Sequence, residues 1–377
     1  MSIIVRIATE ADSKACNSMH NKAYGLSRNI NQWKWTFQNQ LFTDLELPFV
    51  VAEDKGKIVG TQALIPIQMI DEDGVYWSAK SEETFVDIDY RGQGLFEKMY
   101  EKIFEIAKAS HFYSIWGFTP ARKSFLQVGF EIPIDTAQLF KPLKAKCIVT
   151  LLDNKDNNSE STGLKDYFKK LIYFVLGAAA SLYSHIKGWA SKLFRVGLEK
   201  VELHDLTSPP AEAKKLCHDF ISQWGGTTIY RDQKYLKWRI FDNPYNKANI
   251  IGAFINGKLV GYCAFALGEN QTGYIIDIFA AEPKKSERIS RDIIYKLISS
   301  ASNRMSDMGA CGIRGWNMTN HRFDKVVASE AKKLGYIAID RGNAVVLHRS
   351  YNTNYQRNID EFENWSVSRI YTEGRDG

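Results

Sequence analysis

The segment Phe85–Phe96, FVDIDYRGQGLF, joins an apolar strand to a short loop and then to the start of a helix. Such a loop presents backbone N–H groups at a helix N-terminus, where the helix dipole favours an anion. Gly92 and Gly94 lack a Cβ, which lets the backbone approach a phosphate, and Arg91 adds a charged donor. The spacing matches neither GxGxxG nor GxxxxGK(S/T), which argues against dinucleotide binding and P-loop ATP hydrolysis. The pattern predicts an anion site; a tight turn with a solvated Arg91 is the alternative.

The whole chain has the length of two domains and the composition of a globular protein. It has 377 residues, of which 45% are apolar and 24% charged, with a net charge of +6. These values exclude disordered, collagen-like and small disulfide-rich classes. Residues 164–200 carry seven Lys or Arg against two acidic residues, so that +5 of the charge lies in one segment. A nucleic-acid binder would show a broader basic surface, and we expect no nucleic-acid partner.

The cysteines and the N-terminus both favour a reducing, cytoplasmic location. The five cysteines are far apart, without a CxxC or Cys/His cluster, so neither disulfides nor a metal site are expected. The sequence MSIIVRIATEADS lacks the basic and apolar regions of a secretory signal. The longest uncharged run, Leu171–Ser184, has 14 residues, fewer than the ~20 that span a bilayer.

The sequence contains an internal repeat, which indicates one fold used twice. Three landmarks recur at offsets of 203, 201 and 206 residues: Lys34-Trp35 as Lys237-Trp238, Gly56–Gly60 as Gly257–Gly261, and Val128–Phe130 as Leu334–Tyr336. In each copy the Gly-Lys pair predicts a tight hairpin turn that needs a positive φ. The predicted strands and helices follow the same order in the two copies. The corresponding strands are Ile3–Ile7 and Lys200–Leu206, then Thr84–Ile88 and Tyr274–Ala280, then Tyr113–Phe118 and Cys311–Trp316, and the corresponding helices are Phe96–Ala109 and Ser286–Ala301.

RGQGLF after an apolar strand resembles motif A of the GNAT acetyltransferases, whose loop holds the pyrophosphate of acetyl-CoA. IVRIATEAD resembles the family's first strand and helix, GKIVG its second and third strands, and FLQVGF its Gly-Phe step, so that the resemblance covers about residues 3–139. The W-K-W segment and YRGQGLF look like two-domain members from bacterial cell-envelope and polysaccharide gene clusters. The resemblance implies an α/β fold of tandem GNAT domains, with mixed sheets flanked by helices and joined by a helical basic-aromatic segment.

The expected organisation has four parts. Residues 1–146 form the GNAT domain with the acetyl-CoA motif, and residues 147–199 hold a polar linker, Asp153–Gly163, followed by the basic helical segment. Residues 200–350 form a second GNAT-like domain, and residues 351–377 are an unassigned tail. The second copy has AAEPKKSERIS at the motif position, without glycine and with Pro283. We therefore expect it to be degenerate and not to bind acetyl-CoA.

The resemblance also implies which residues hold the co-substrate. The strand before the loop would supply backbone groups to the pantetheine arm, and the loop and helix start would hold the pyrophosphate. The cofactor-binding residues are then Val86, Asp87, Ile88, Arg91, Gly92, Gln93, Gly94, Leu95 and Phe96. Phe96 departs from the Gly or Ala that the family prefers. Phe125 and Ala331 stand where the family often has its general-acid Tyr, so neither can donate a proton.

Two adjacent acids are the candidate catalytic residues. Acetyl transfer to an amine needs a group that accepts the amine proton and a donor for the developing oxyanion. Glu83, and next Glu82, precede the motif strand and could act as the base, directly or through water; solvated edge carboxylates are the alternative. Strand alternation would put Glu83 and Asp87 on one face and Glu82 on the other. His20 is a further titratable candidate.

Several other side chains allow a functional or a structural interpretation. His111 lies between a helix and a strand, where a surface turn is expected. Trp33, Trp35 and Trp116 could line a sugar or acyl pocket, although core positions are the commoner role for such aromatics. Residues 164–194 are either an interfacial helix or helical hairpin that contacts anionic lipid, or a brace packed on the domains.

The predicted function is acetyl-CoA-dependent N-acetylation of a small amine. An amino sugar on a nucleotide or lipid carrier fits best with the resemblance to envelope members. We expect the protein in the cytoplasm, either free or peripheral to the inner face of the membrane. A non-catalytic acyl-CoA-binding scaffold is an alternative, because the general-acid Tyr is missing. A tandem-GNAT aminoacyl transferase is disfavoured by the intact pyrophosphate loop and the small net charge. The oligomeric state and the acyl length stay open.

Overall fold

The computed structural model describes residues 3–38, 41, 47–148, 164–193, 201–268, 270–282, 284–317, 320–351 and 364–371. The expected linker at residues 153–163 and Pro283 of the second motif lie outside the described residues.

The order of elements in the first sequence copy recurs in the second. The first copy contains β1 (Ile4–Ile7), α1 (Ser13–Tyr24), α2 (Ile30–Phe37), β2 (Phe49–Asp54), β3 (Lys57–Asp71), β4 (Gly74–Val86), α3 (Leu95–Ala109), β5 (Ser114–Thr119), α4 (Arg122–Gln127) and β6 (Glu131–Pro142). After it comes α5 (Leu164–Leu193). The second copy contains β7 (Glu202–Asp205), α6 (Ala213–Trp224), β8 (Thr228–Ile229), α7 (Gln233–Leu236), β9 (Asn249–Ile255), β10 (Lys258–Leu267), β11 (Thr272–Ala280), α8 (Glu287–Asp307), β12 (Gly312–Asn317), α9 (Arg322–Lys333) and β13 (Ile337–Ser350). The expected fold class, mixed sheets flanked by helices, is confirmed.

The chain forms two compact units, each built from three segments. Unit 1 comprises residues 1–136, 226–238 and 342–365, and unit 2 comprises residues 137–225, 239–341 and 366–377. The units thus differ from the contiguous domains expected at 1–146 and 200–350, because the last strand of each copy crosses to the other unit. Residues 345–350 of β13 pair with β5 in unit 1, and residues 137–142 of β6 pair with β12 in unit 2.

The sheet of unit 1 has the strand order β1-β2-β3-β4-β5-β13, with β8 beside β3. β4 and β5 are parallel, and the other neighbours are antiparallel. The predicted strand Thr84–Ile88 was placed too late, because β4 begins at Gly74 as the hairpin partner of β3 and ends at Val86. The apolar stripe of α3, including Met99 and Ile103, packs into the core of this unit as its periodicity predicts.

The predicted Gly-Lys hairpin turns are present in both copies. Lys55 and Gly56 have φ values of 50° and 81°, and Asn256 and Gly257 have φ values of 50° and 73°. Two consecutive positive φ values are the signature of a type I′ turn, which matches the twist of the strands that it joins.

Unit 2 has the strand order β6-β12-β11-β10-β9-β7, and α5 packs within this unit. The basic segment is therefore one continuous helix over Leu164–Leu193 rather than a hairpin. In the described part of the chain, no helix is both long and apolar enough to span a membrane. The C-terminal segment, which the sequence left unassigned, includes residues 366–371 of unit 2, and all of these except the half-buried Ser368 are buried.

Candidate acyl-CoA site

The loop that the motif predicts as an anion site has the backbone geometry that the prediction needs. β4 ends at Val86, a 3-10 turn covers Ile88–Tyr90, and α3 begins at Leu95. Gly92 and Gly94 have φ values of 76° and 71°, a left-handed conformation that glycine adopts without strain. Among the described residues no side chain caps α3, whose first N–H groups have no partner within the helix. Residues 91–94, which lead into this helix N-terminus, are exposed.

Side chains from two neighbouring strands hold this loop in place. The guanidinium Nε of Arg91 donates to the carbonyl of Val86 at 3.2 Å. The hydroxyl of Tyr90 donates to Asp54 at 3.0 Å, and the ammonium of Lys57 lies 3.6 Å from the carboxylate of Asp87. Lys57 belongs to the repeated Gly-Lys turn, so its ion pair with Asp87 connects this turn to the loop.

β4 and β5 separate beside this loop, as the resemblance implies. In the described residues they pair at only two positions, Ala79 with Ile115 and Lys80 with Trp116. β4 then continues to Val86 and β5 to Thr119 along separate paths. Beyond these two positions the described part of β4 does not pair with β5, and an unpaired strand edge is able to form backbone hydrogen bonds with an extended ligand.

A β-bulge interrupts β4 at the candidate base. Thr61 of β3 faces Phe85 and Ala63 faces Glu82, so the register shifts between them. Glu83 lies in the bulge with φ of 53°, a strained conformation for a residue with a Cβ. The alternation that would place Glu83 with Asp87 is therefore broken, and that part of the sequence prediction is wrong.

Glu83 is buried and fully engaged rather than solvated. Arg28 donates from Nη1 to Oε1 at 2.7 Å and from Nη2 to Oε2 at 3.0 Å, and Nδ1 of His20 lies 3.0 Å from Oε2. Asn17 in turn accepts from Nε of Arg28 at 2.8 Å. Both oxygens of Glu83 therefore already have protein groups beside them.

Glu82 has a different environment. Its carboxylate forms an ion pair with Lys80, which is itself buried and lies 5.9 Å from the ring centroid of Phe118. The side chain of Glu82 is 14% exposed, so it is the more accessible of the two acids. The alternative of two solvated carboxylates does not fit either residue.

A buried polar network lies next to the bulge and was missed from the sequence. Ser81 and Tyr100 share a hydrogen bond of 2.8 Å, Thr84 and Tyr100 share one of 3.1 Å, and Gln62 donates to Ser81 at 3.0 Å. Thr84 also donates to Gln62. Burial raises the pKa of Tyr100, although the hydrogen bonds from its partners lower it. The helical spacing of Tyr100 indicates only a core residue, so the sequence carries no signal for this role.

The remaining aromatic and histidine candidates divide between core and surface. Phe125 packs against Phe96 at 5.5 Å and Tyr100 at 5.4 Å between ring centroids, so its position is apolar and carries no acid. Trp33 and Trp116 are fully buried in the core. Trp35 and Trp238 each donate from the indole Nε1 to the backbone carbonyl of the other. His111 lies in an exposed turn.

In unit 2, protein groups occupy the N-terminus of α8, which corresponds to that of α3. Glu282 accepts from the backbone N–H of Ser286 at 3.0 Å, and Ser286 accepts from the N–H of Ile289 at 3.4 Å. A carboxylate of the chain therefore occupies the position where an uncapped helix would attract a phosphate.

The gap between β11 and β12 of unit 2 is filled as well. These strands pair in parallel only from Thr272 to Ile275, while β11 continues to Ala280. Residues 366–371 pack beside them: Ser368 donates to Asp277 at 2.5 Å, and the guanidinium of Arg369 lies 4.3 Å from the ring centroid of Tyr274. The small cavity that remains is lined by residues that include Ile275, Ile278, Gly315, Trp316, Ser368 and Arg369.

Comparisons with known proteins agree with the geometry of unit 1. Residues 4–132, about a third of the chain, match the family model described as an acetyltransferase (GNAT) domain. No curated protein sequence matches the chain significantly. Residues 4–132 therefore form a GNAT acetyltransferase domain, and the protein is an acyltransferase.

Solved structures share the fold at low sequence identity. A probable N-acyltransferase from Enterococcus faecalis V583 has a TM-score of 0.59 at 9% identity, covering 93% of this chain and 73% of its own. A GCN5-related N-acetyltransferase from Anabaena variabilis ATCC 29413 has a TM-score of 0.59 at 10% identity, with the same coverage. The N-myristoyltransferase of Saccharomyces cerevisiae with bound myristoyl-CoA has a TM-score of 0.57 at 12% identity, covering 92% of this chain and 82% of its own. Their fold thus extends over more than the segment that matches the family model.

Proposed function

We propose that unit 1 transfers the acetyl group of acetyl-CoA to the amine of a small acceptor. The observation that carries the proposal is the uncapped N-terminus of α3, with Gly92 and Gly94 in positive φ, beside the open edge of β4. Residues 86–88 would contact the pantetheine arm, and residues 91–96 would hold the pyrophosphate. When bound, acetyl-CoA supplies an acetyl group activated as a thioester.

Glu83 and Glu82 are the proposed catalytic acids, with different tasks. Glu83 is held by Arg28 and lies 3.0 Å from Nδ1 of His20, so it would orient His20 and accept a proton by way of that ring or a water molecule. Glu82 is partly accessible and could attract the protonated amine of the acceptor. The strain at Glu83 supports a functional role, because strained backbone tends to persist at functional sites.

An amino sugar carried by a nucleotide or a lipid is the proposed acceptor. Support for this class comes from the sequence resemblance to envelope and polysaccharide members. The transferred acyl group is proposed to be acetyl. The yeast protein of similar fold holds myristoyl-CoA, so this fold also accommodates a long acyl chain. A panel of acyl-CoA donors of increasing length therefore belongs in the assay.

Only unit 1 is proposed to bind acetyl-CoA. In unit 2, Glu282 occupies the helix N-terminus, and residues 366–371 fill the space between β11 and β12. Both features put protein atoms where unit 1 leaves room for a ligand, which supports a degenerate second GNAT-like copy.

The test is release of free CoA from acetyl-CoA with a panel of amines that contains nucleotide-linked and lipid-linked amino sugars, simple amines and charged tRNA. Release with an amino sugar, lost in the Gly94→Asp variant, supports the proposal. Tight acetyl-CoA binding without release for any acceptor would instead identify a scaffold. Transfer of the aminoacyl group from charged tRNA to an acceptor amine, with release of free tRNA and no release of CoA, would identify an aminoacyl transferase.

The proposed place of action is the cytoplasm, with peripheral contact to the inner face of the membrane through the basic-aromatic helix α5. That position would bring unit 1 close to lipid-linked acceptors.

A further inference from the structure

Helix α5 carries most of the large apolar side chains that the described chain exposes. Twelve of the twenty exposed large hydrophobic residues lie on this one helix: Tyr167, Phe168, Leu171, Ile172, Phe174, Val175, Leu176, Leu182, Tyr183, Ile186, Trp189 and Leu193. Trp189 is 65% exposed and Tyr167 is 71% exposed. Monomeric soluble proteins rarely leave such a contiguous apolar surface in water, so a second apolar phase is expected to cover it.

The opposite face of α5, which packs on unit 2, consists of small residues. Ser181 donates to the carbonyl of Leu143 at 2.7 Å, and a Cβ at Gly177 would collide with the carbonyl of Ala145. Ser184 is fully buried and lies against Gly335. The helix is therefore inverted relative to an ordinary surface helix, whose large apolar residues face the protein core.

The charges on α5 favour one kind of partner. Lys169, Lys170, Lys187 and Lys192 are exposed, and Asp166 is the helix's one acidic residue. Lys169 and Lys187 are 18 residues apart, about five helical turns, so they project from the same side beside the apolar face. A second copy of α5 would bring like charges together, whereas an anionic lipid surface would complement them.

We propose that α5 lies in the plane of an anionic bilayer, with its twelve large apolar side chains in the headgroup and acyl boundary and with Lys169 and Lys187, beside that face, among the headgroups. The inference deepens the membrane contact of the proposed function and is independent of acetyl transfer.

The test is sedimentation of the full chain with vesicles of equimolar phosphatidylglycerol and phosphatidylcholine. We expect strong binding at low salt and a weaker component that persists at high salt, and this weaker component should equal the binding to pure phosphatidylcholine. Changing Lys169, Lys170, Lys187 and Lys192 together to Gln should weaken low-salt binding at least tenfold. Changing Leu171, Val175 and Ile186 to Ser should remove the component that persists at high salt.

Matched variants separate lipid contact from misfolding and from catalysis. Changing four exposed lysines elsewhere, Lys22, Lys55, Lys214 and Lys325, to Gln removes the same charge and should leave vesicle binding within about twofold. Acetyl-CoA affinity, measured by calorimetry on every variant, should stay at the wild-type value. Vesicle binding without turnover would refute only the proposed function, and turnover without vesicle binding would refute only the lipid contact.

The competing occupant is a second copy of the chain. If the wild-type protein ignores anionic vesicles at low salt and sediments alone as a dimer, the lipid proposal is overturned. Conversion of that dimer to a monomer by the three Ser substitutions would identify the apolar face as a dimer interface.

Discussion

Arg28 forms a bidentate ion pair with Glu83, and both side chains are almost completely buried. The two residues are 55 positions apart, and the pair ties the segment after α1 to the bulge of β4. Its role in the site is to hold the strained bulge and to occupy both oxygens of the carboxylate.

Replacing Glu83 by Gln should destabilise the protein by about 3 kcal/mol, because a buried guanidinium is left without its counter-charge. Glu53→Gln is the matched control: Glu53 pairs with Arg6 in a partly exposed position and should contribute below about 1 kcal/mol. Chemical denaturation measures both. If Glu83→Gln costs no more than Glu53→Gln, Glu83 is not held as described.

Gly94→Asp should lower acetyl-CoA affinity at least tenfold, about 1.4 kcal/mol, because it places bulk and negative charge at the helix N-terminus. Gly257→Asp provides the control, since Gly257 has a similar φ of 73° against 71° and a Cβ there would meet no described atom within 4 Å. Both variants carry the same backbone strain. If they reduce the acetyl-CoA affinity measured by calorimetry equally, the loop is not part of the site.

Calorimetry on the full chain should find one acetyl-CoA bound per chain, and Gly94→Asp should weaken that single site. Isolated halves are unsuitable for this measurement, because residues 345–350 complete the sheet of unit 1 and residues 137–142 complete that of unit 2. A second bound equivalent that survives Gly94→Asp would contradict the degenerate role of unit 2.

Gly177→Ala should destabilise the protein by about 1–3 kcal/mol, although alanine is the better helix former, because its methyl group would collide with the carbonyl of Ala145. Gly188→Ala on the same helix should be neutral or slightly stabilising, since its nearest atom, the carbonyl oxygen of Leu334, lies at 3.5 Å. Melting temperatures that shift in the same direction for both variants would contradict the packing of α5 on unit 2.

His321 should make stability fall as the pH drops. Burial lowers the pKa of this imidazole to about 4, and its ring caps α9 by accepting from the N–H of Phe323 at 3.1 Å. The unfolded chain takes up this proton near pH 6.5, so the contribution is present above that pH and declines towards pH 4, by at most about 3 kcal/mol. His321→Asn keeps a capping oxygen without the titration. Denaturation at pH 7 and pH 4.5 should show a smaller loss for the variant than for the wild type.

The parts of this protein that were predictable from its sequence are local. The repeat, the type I′ turns, the apolar stripe of α3 and the glycine loop each depend on residues close together in the chain, and their conformations follow from backbone sterics and periodicity. The beginning of β4 at Gly74 was missed, because the sequence does not show which strand will pair with which.

Long-range contacts were decided only by the tertiary structure. Trp35 and Trp238 were recognised as equivalent positions, but the hydrogen bonds between them could not be foreseen. Likewise, the sequence marked Glu83 as a candidate base, and folding brought Arg28 and His20 to its oxygens. In α5 the sequence determined that lysines lie at both ends of an uncharged run rich in apolar and aromatic residues. The tertiary structure decided which face of α5 packs on unit 2. Its small residues fit closely there, and close packing selects the face that leaves no steric conflict.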